Sequence, residues 1–280
     1  NGEVVLDDEI IGEAGTFTTT DGNFVTVNFK NTYTDPVVVG TTNTKNSPEN
    51  ALTFDARSVT SNSAEMRVCE AEGVTASGCD AHPTETAGYV VIDAAVADRV
   101  QGIEAGTFDI DSEIDTTTQT VTYTESFSSA PEVLANVQST NGRQPVETRV
   151  TTTSTGSFEA GICNPSVSNS DSCDSTHVTE TVGWVSIEPG ELPFLQTSEA
   201  GQTGTTVANS QFESQTFTES FPVTPVVVAS TQTENGPQET EVDEARQVTQ
   251  TSVDVRYCET ENADNCDSHT DENVGWLAVV

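Results

Sequence analysis

Cys266-Asp267-Ser268-His269-Thr270-Asp271-Glu272-Asn273-Val274-Gly275-Trp276 is the third copy of one pattern, after Cys79-Asp80-Ala81-His82 through Glu85 to Gly88-Tyr89 and Cys173-Asp174-Ser175-Thr176-His177 through Glu180 to Gly183-Trp184. In each copy the histidine stands three places before the glutamate and seven before the aromatic, and these are the chain's 3 histidines. A pattern recurring at roughly 90-residue intervals predicts several small units and not one large domain. Units of that size bury only about two-thirds of their unfolded surface, so a staple is expected in each.

Outward from the motif, each unit repeats one order of strand signals. Val25, Val27 and Phe29 alternate with polar residues ahead of Tyr33 and Asp35-Pro36-Val37-Val38-Val39. The counterparts are Val121, Tyr123, Phe127, Pro131 and Val133-Leu134, then Phe217, Phe221, Pro225 and Val226-Val227-Val228. Period-two alternation predicts strands with one buried face. Proline before each apolar run marks a bend, since it cannot donate to a sheet ladder.

A polar loop follows, with Asn141-Gly142 and Asn235-Gly236 as turns. Next come the β-branched stretches Arg57-Ser58-Val59-Thr60, Arg149-Val150-Thr151 and Arg246-Gln247-Val248-Thr249, and a strand that runs into the first cysteine. The last strand starts at the motif's aromatic: Tyr89-Val90-Val91-Ile92, Trp184-Val185-Ser186-Ile187 or Trp276-Leu277-Ala278-Val279. With no helical periodicity, the fold class read from this order is all-β: three tandem antiparallel β-sandwich repeats of about six strands each. Glu13-Ala14-Gly15, Glu104-Ala105-Gly106 and, more loosely, Glu199-Ala200-Gly201 mark their openings. The expected boundaries are an extension over 1–12, repeats over 13–92, 104–187 and 199–280, and linkers over 93–103 and 188–198. The second linker, with Pro189 and Pro193, is expected to be stiff and the first to pack between repeats.

The 6 cysteines fall two to a repeat. Local disulfides Cys69–Cys79, Cys163–Cys173 and Cys258–Cys266 are expected, out of about 15 possible pairings. Zinc is the competing reading, and spacings of eight to ten without a second pair nearby do not suit it. Disulfides in small units point to an extracellular compartment. A start at Asn1 without a signal peptide fits a processed exported product or an excerpt of a longer chain.

The formal net charge is -36, from 45 acidic residues against 9 basic ones. A surface this acidic repels phosphates, which sets aside nucleic acid and anionic lipid as partners. No apolar run is long enough to span a membrane, so no membrane insertion is expected. Scarce lysine beside abundant Asp, Glu and Thr resembles proteins of extreme halophiles. In such proteins molar salt screens self-repulsion to within about 3 Å. Bound divalent cations are the other way to offset the charge.

The sequence of an aromatic strand, a proline leading into a Val run, a Val-Thr strand, the turn Thr155-Gly156-Ser157-Phe158, a cysteine and a terminal Gly183-Trp184-Val185-Ser186-Ile187 resembles the H-type lectin domain of snail agglutinins and discoidins. The resemblance covers most of each repeat. It implies a six-stranded sandwich that assembles as a trimer and binds galactose-type sugars between protomers, so three tandem copies look like a covalent pseudo-trimer. The family places an acid in an early loop, an arginine before the Val-Thr strand and a Trp-His pair between the last two strands. Here that last loop holds His82, His177 and His269 with no tryptophan before them. Arg143 stands near the arginine's place in repeat two, and repeats one and three have no counterpart.

The candidate ligand-binding residues are therefore His82, His177 and His269, with Asp80, Asp174, Asp267, Glu85, Glu180, Glu272 and Arg143. An imidazole beside carboxylates suits a sugar diol or a metal. The structural alternative is that the aspartates cap the turn while the histidine orders it through a backbone bond. Tyr89, Trp184 and Trp276 begin apolar strands and read as packing residues. Asp109, Asp111, Glu113 and Asp115 are spaced like a calcium loop, but Ile114 replaces the glycine and Thr120 the glutamate that an EF-hand needs. A structural calcium of another type is the one cofactor left open. No Gly-x-Ser-x-Gly, phosphate loop or His-Glu-x-x-His is present, and no enzyme activity is expected.

The functional expectation is an exported, high-salt recognition or adhesion protein of the cell or virion surface, binding a cell-surface glycan or glycoprotein through lectin-like repeats. The alternative is a structural subunit of an extracellular fibre, virion spike or tail fibre without sugar binding. In that case Val4-Val5-Leu6 would add to a neighbour's edge strand in self-assembly or virion attachment.

Overall fold

The computed structural model describes residues 2–6, 9–46, 51–70, 79, 81–97, 102–111, 118–142, 146–163, 177–191, 201–235, 241–259 and 270–280. Strands dominate, as the patterning predicts. The first repeat supplies β1 (Gly2–Leu6), β2 (Glu9–Thr19), β3 (Val25–Asn28), β4 (Pro36–Thr42), β5 (Leu52–Thr60), β6 (Ser63–Glu70) and β7 (Glu85–Asp93), then one helical turn, α1 (Ala94–Ala97). The second supplies β8 (Ile103–Ile110), β9 (Gln119–Thr122), β10 (Glu132–Val137), β11 (Glu147–Thr153), β12 (Ser157–Cys163) and β13 (Glu180–Ile187). The third supplies β14 (Gly190–Glu191), β15 (Gly201–Ala208), β16 (Glu213–Thr216), β17 (Val226–Thr231), β18 (Glu241–Arg246), β19 (Ser252–Glu259) and β20 (Glu272–Val279).

Two strand orders recur in each repeat: β2-β7-β4 with β3-β6-β5, β8-β13-β10 with β9-β12-β11, and β15-β20-β17 with β16-β19-β18. All of these pairings are antiparallel. β1 and β14 add to the outer edges of β2 and β15, and a single parallel pair, Glu244 with Thr42, joins β18 to β4.

The apolar runs are buried on both faces, and the two faces serve different cores. Val38, Tyr89 and Val91 pack with Phe54 and Met66 into a core private to the first repeat, while Val37, Val39, Val90 and Ile92 turn the other way. There they meet Leu134, Val185 and Ile187 of the second repeat and Val228, Leu277 and Val279 of the third in one shared core. Each fully buried Val or Leu contributes about 1.5–3 kcal/mol, so the shared core is a principal reason the repeats cohere. The second and third repeats have private cores of their own around Trp184 and Trp276, and those aromatics are packing residues.

Four expectations change. The strongest alternating stretch, at Val25 and Val27, is a short edge strand: Val25 is exposed, Val27 is half-buried and only Phe29 beyond the strand end is buried. Its pattern reflects an edge that packs on one side through a single residue. The third opening is Gln202-Thr203-Gly204, three places later than Glu199-Ala200-Gly201. Gly204 lies opposite Trp276 as Gly106 lies opposite Trp184 and Gly15 opposite Tyr89. At Gly106 and at Gly204 an added Cβ would come within 2.9 Å of the indole, which fixes glycine there. β1 folds back on β2 of its own chain and buries Val4 in the shared core, so that segment is already paired. β2 begins at Glu9, inside the expected extension, and the two expected linkers contribute α1 and β14 to the fold.

Candidate functional site

β4, β10 and β17 each lie at one edge of a three-strand order, and an open edge invites a further strand. Side-chain amides from a neighbouring repeat cover all three. Gln138 Oε1 accepts from Val38 N, and Asn136 Oδ1 accepts from Gly40 N at 2.8 Å. Gln232 takes Val133 N at 2.8 Å on Oε1 and donates through Nε2 to Val133 O at 2.6 Å. Asn43 Nδ2 donates to Val227 O at 2.8 Å, and Thr41 Oγ1 both accepts from Ala229 N at 2.8 Å and donates to Ala229 O at 2.9 Å. The second repeat thus holds the first, the third holds the second and the first holds the third, which closes a ring.

This clasp explains the glycine of the repeated motif. A Cβ on Gly88 would meet Asn43 Oδ1 at 2.5 Å, one on Gly183 would strike the Gln138 side chain, and one on Gly275 would meet Gln232 Nε2 at 2.8 Å. Sequence reading missed Asn43, Gln138 and Gln232. A usable signal existed, because each amide follows the proline of Pro36, Pro131 or Pro225 by seven places.

The motif glutamates are buried and committed to backbone. Glu85 accepts from Thr44 Oγ1 at 2.5 Å and Asn46 N at 2.7 Å. Glu180 accepts from Ser139 Oγ, from Asn141 N at 3.0 Å and from Gly142 N at 2.7 Å. Glu272 accepts from Thr233 Oγ1 at 2.6 Å and Asn235 N at 2.7 Å. Each of these hydroxyls in turn accepts from the backbone N of Thr86, Thr181 or Asn273. A carboxylate that takes hydroxyl and amide donors on both oxygens orders the loop after the clasp residue.

His82 is buried, with Nδ1 2.6 Å from Pro83 O, Nε2 2.8 Å from Val68 O, and Gly22 N donating to Nε2 at 3.2 Å. It ties the end of β6 to the turn at Gly22, in line with the structural alternative for this position. His177 packs its ring against Gly142, with Nδ1 2.7 Å from Val178 O and 3.9 Å from Glu180 Oε1. His269, Asp80, Asp174, Asp267 and Arg143 lie outside the described residues, as do Cys173, Cys266, Glu113 and Asp115. The disulfide Cys69–Cys79 is present with Cα atoms 5.2 Å apart, and Cys163 and Cys258 are also disulfide-bonded.

Charge is concentrated between repeats. Lys45 and Arg256 both pair with buried Glu244, which also accepts from Leu52 N at 3.0 Å. Arg149 reaches across to Glu272 at 3.8 Å and lies over the Tyr257 ring. Burial pushes Lys45 down, and Glu244 opposes that shift. Among the described residues every Lys and Arg stands in an ion pair. No group of three or more His, Cys, Asp or Glu among them is placed to hold a metal ion. A cleft of about 670 Å³ opens between the first and third repeats, lined by Ala14, Thr16, Pro222, Val223, Pro225 and Val280 among others, and none of the expected ligand residues line it.

An all-β, disulfide-stapled chain closed by three amide clasps is the class these features define. No family model matches the chain, and no solved structure matches it. Over 290 aligned residues it is 29% identical to a protein named Halomucin from Haloquadratum walsbyi, with 99% of this chain covered. The chain spans about 3% of that protein's length. Among the described residues no helix is long and apolar enough to cross a membrane.

Proposed function

We propose that this chain is an exported recognition or adhesion module of a high-salt cell or virion surface. In this reading three H-type-lectin-like sandwiches stand in one chain for the three protomers of a lectin trimer. The observation that carries it is the cyclic clasp of Asn43, Gln138 and Gln232, which supports reading the repeats as a closed covalent pseudo-trimer. The net charge of -36 supports the high-salt setting, and the relative's name couples salt with mucin. Glycan would be taken between repeats by the cysteine-bracketed loops that carry His82, His177 and His269, with avidity adding across the three.

A second reading, a structural module that binds no sugar, is favoured by one specific observation. Glu85, Glu180, Glu272 and His82 are buried in structural contacts, and the described cations are all ion-paired. Screening neutral and acidic glycans against the whole chain in molar salt separates the two. Saturable binding that His269→Ala weakens supports the lectin reading, and silence across the array sinks it.

A further inference from the structure

Glu147 sits where all three repeats meet. Within electrostatic reach of its carboxyl are Asp55 of β5 and both Asp243 and Glu244 of β18. Sheet register gives it an equivalent place to Thr53 in the first repeat and Val242 in the third, each opposite the first cysteine of its repeat. Its neighbours already have partners of their own. Asp55 pairs with Arg67 at 2.7 Å, and Glu244 with Lys45 and Arg256. Asp243 accepts from Thr231 N at 2.8 Å and Thr231 Oγ1 at 2.7 Å, and faces Arg149 and Glu272. The group that favours an ionised Glu147 is the Thr53 hydroxyl, and Oε1 is buried without a hydrogen-bond partner among the described residues.

We propose that Glu147 is a proton-dependent catch for the ring: its neutral carboxyl lets the three repeats close around it, and loss of that proton loosens the seams. The cause is physical crowding of like charge. Burial, then the carboxylates of Asp55, Asp243 and Glu244, hold Glu147 well above the ordinary carboxyl range. Asp243 is pushed up to about 6, by burial first, and burial raises Asp55 as well. Glu132, at the seam with Thr205, is raised in the same way. A carboxyl whose folded pKa exceeds its unfolded value keeps an extra proton in the folded chain. The folded state therefore loses stability as pH climbs through that folded pKa. The window opens near pH 6, where Asp243 titrates, and extends upward through Glu147.

The test uses the full chain at constant molar salt, so that screening is fixed. Melting temperature should fall from pH 5.5 to pH 9, and Glu147→Gln should flatten that slope and melt higher at pH 9. Hydrogen exchange gives a second readout local to the seams. After correction for intrinsic rates, the Val38, Val133 and Val227 amides should exchange several-fold faster at pH 8.5 than at pH 5.5, and Glu147→Gln should abolish the difference. Asp243→Asn should remove only the part of the slope near pH 6. An unchanged slope in Glu147→Gln overturns the proposal. So does failure of that variant to fold, because a neutral amide is the nearest stand-in for a neutral carboxyl.

Discussion

Repeats one and three build the same charged ladder, and repeat two does not. In the first repeat Asp55 pairs with Arg67 and Glu65 with Arg57, and both guanidinium groups lie on the Phe24 ring, at 4.4 and 3.8 Å. In the third, Glu244 pairs with Arg256 and Asp254 with Arg246, and Phe212 takes the two arginines at 4.6 and 3.7 Å. The corresponding pair in the second repeat is Arg149 opposite Gly161. With no carboxylate across the ladder, Arg149 extends over the seam to Glu272 and Tyr257. In a chain with only 9 basic residues, a cation is spent either inside a repeat or between two, and repeat two uses its own between.

The sharpest way to break this contrast is Glu244→Ala. It belongs to the third ladder and to the seam with Lys45, so its loss leaves two buried cations without their carboxylate. We expect a cost of about 3–5 kcal/mol in thermal or urea unfolding at molar salt. A smaller loss would mean that Lys45 and Arg256 find other partners. Gly183→Ala touches the seam without touching charge. The new Cβ displaces Gln138 from Val38, and about 1–3 kcal/mol should be lost, with faster exchange of the Val38 amide as the specific sign. The mildest change is Phe212→Leu, which keeps the ion pairs of Arg246 and Arg256 and removes their ring. The expected loss is about 0.5–1 kcal/mol, and Thr118→Leu at the corresponding place in repeat two should not show it.

The all-β class, the motif's aromatics and the local disulfide were legible because each is a short-range signal: alternation, an apolar run or close spacing. The clasp was not. Asn43 and Val227 are 184 places apart, and no periodicity links an amide to a backbone in another repeat. The glutamates illustrate a different limit. Glu85, Glu180 and Glu272 stood out as acids beside a histidine, and composition does not say whether a carboxylate faces a ligand or its own backbone. The third opening was misplaced because Gln202-Thr203-Gly204 has lost the Glu-Ala spelling. Gln202 nevertheless does what Glu13 and Glu104 do: its Oε1 accepts from Thr218 N at 2.7 Å, as Glu13 accepts from Lys30 N and Glu104 from Thr124 N.

The clasps also impose an order of events on a chain made from one end. Gln138 covers the edge of β4 as soon as the second repeat forms, and Gln232 covers β10 when the third does. Asn43, present from the start, waits for Val227. Ring closure is therefore the longest loop to close and is expected to be the late step of folding. Until the third repeat arrives, the apolar faces of Val37 and Val90 lack their final partners, Val228 and Leu277. A partly made chain is thus the sticky species, and conditions that slow synthesis or release should raise aggregation more than conditions that act on the finished ring.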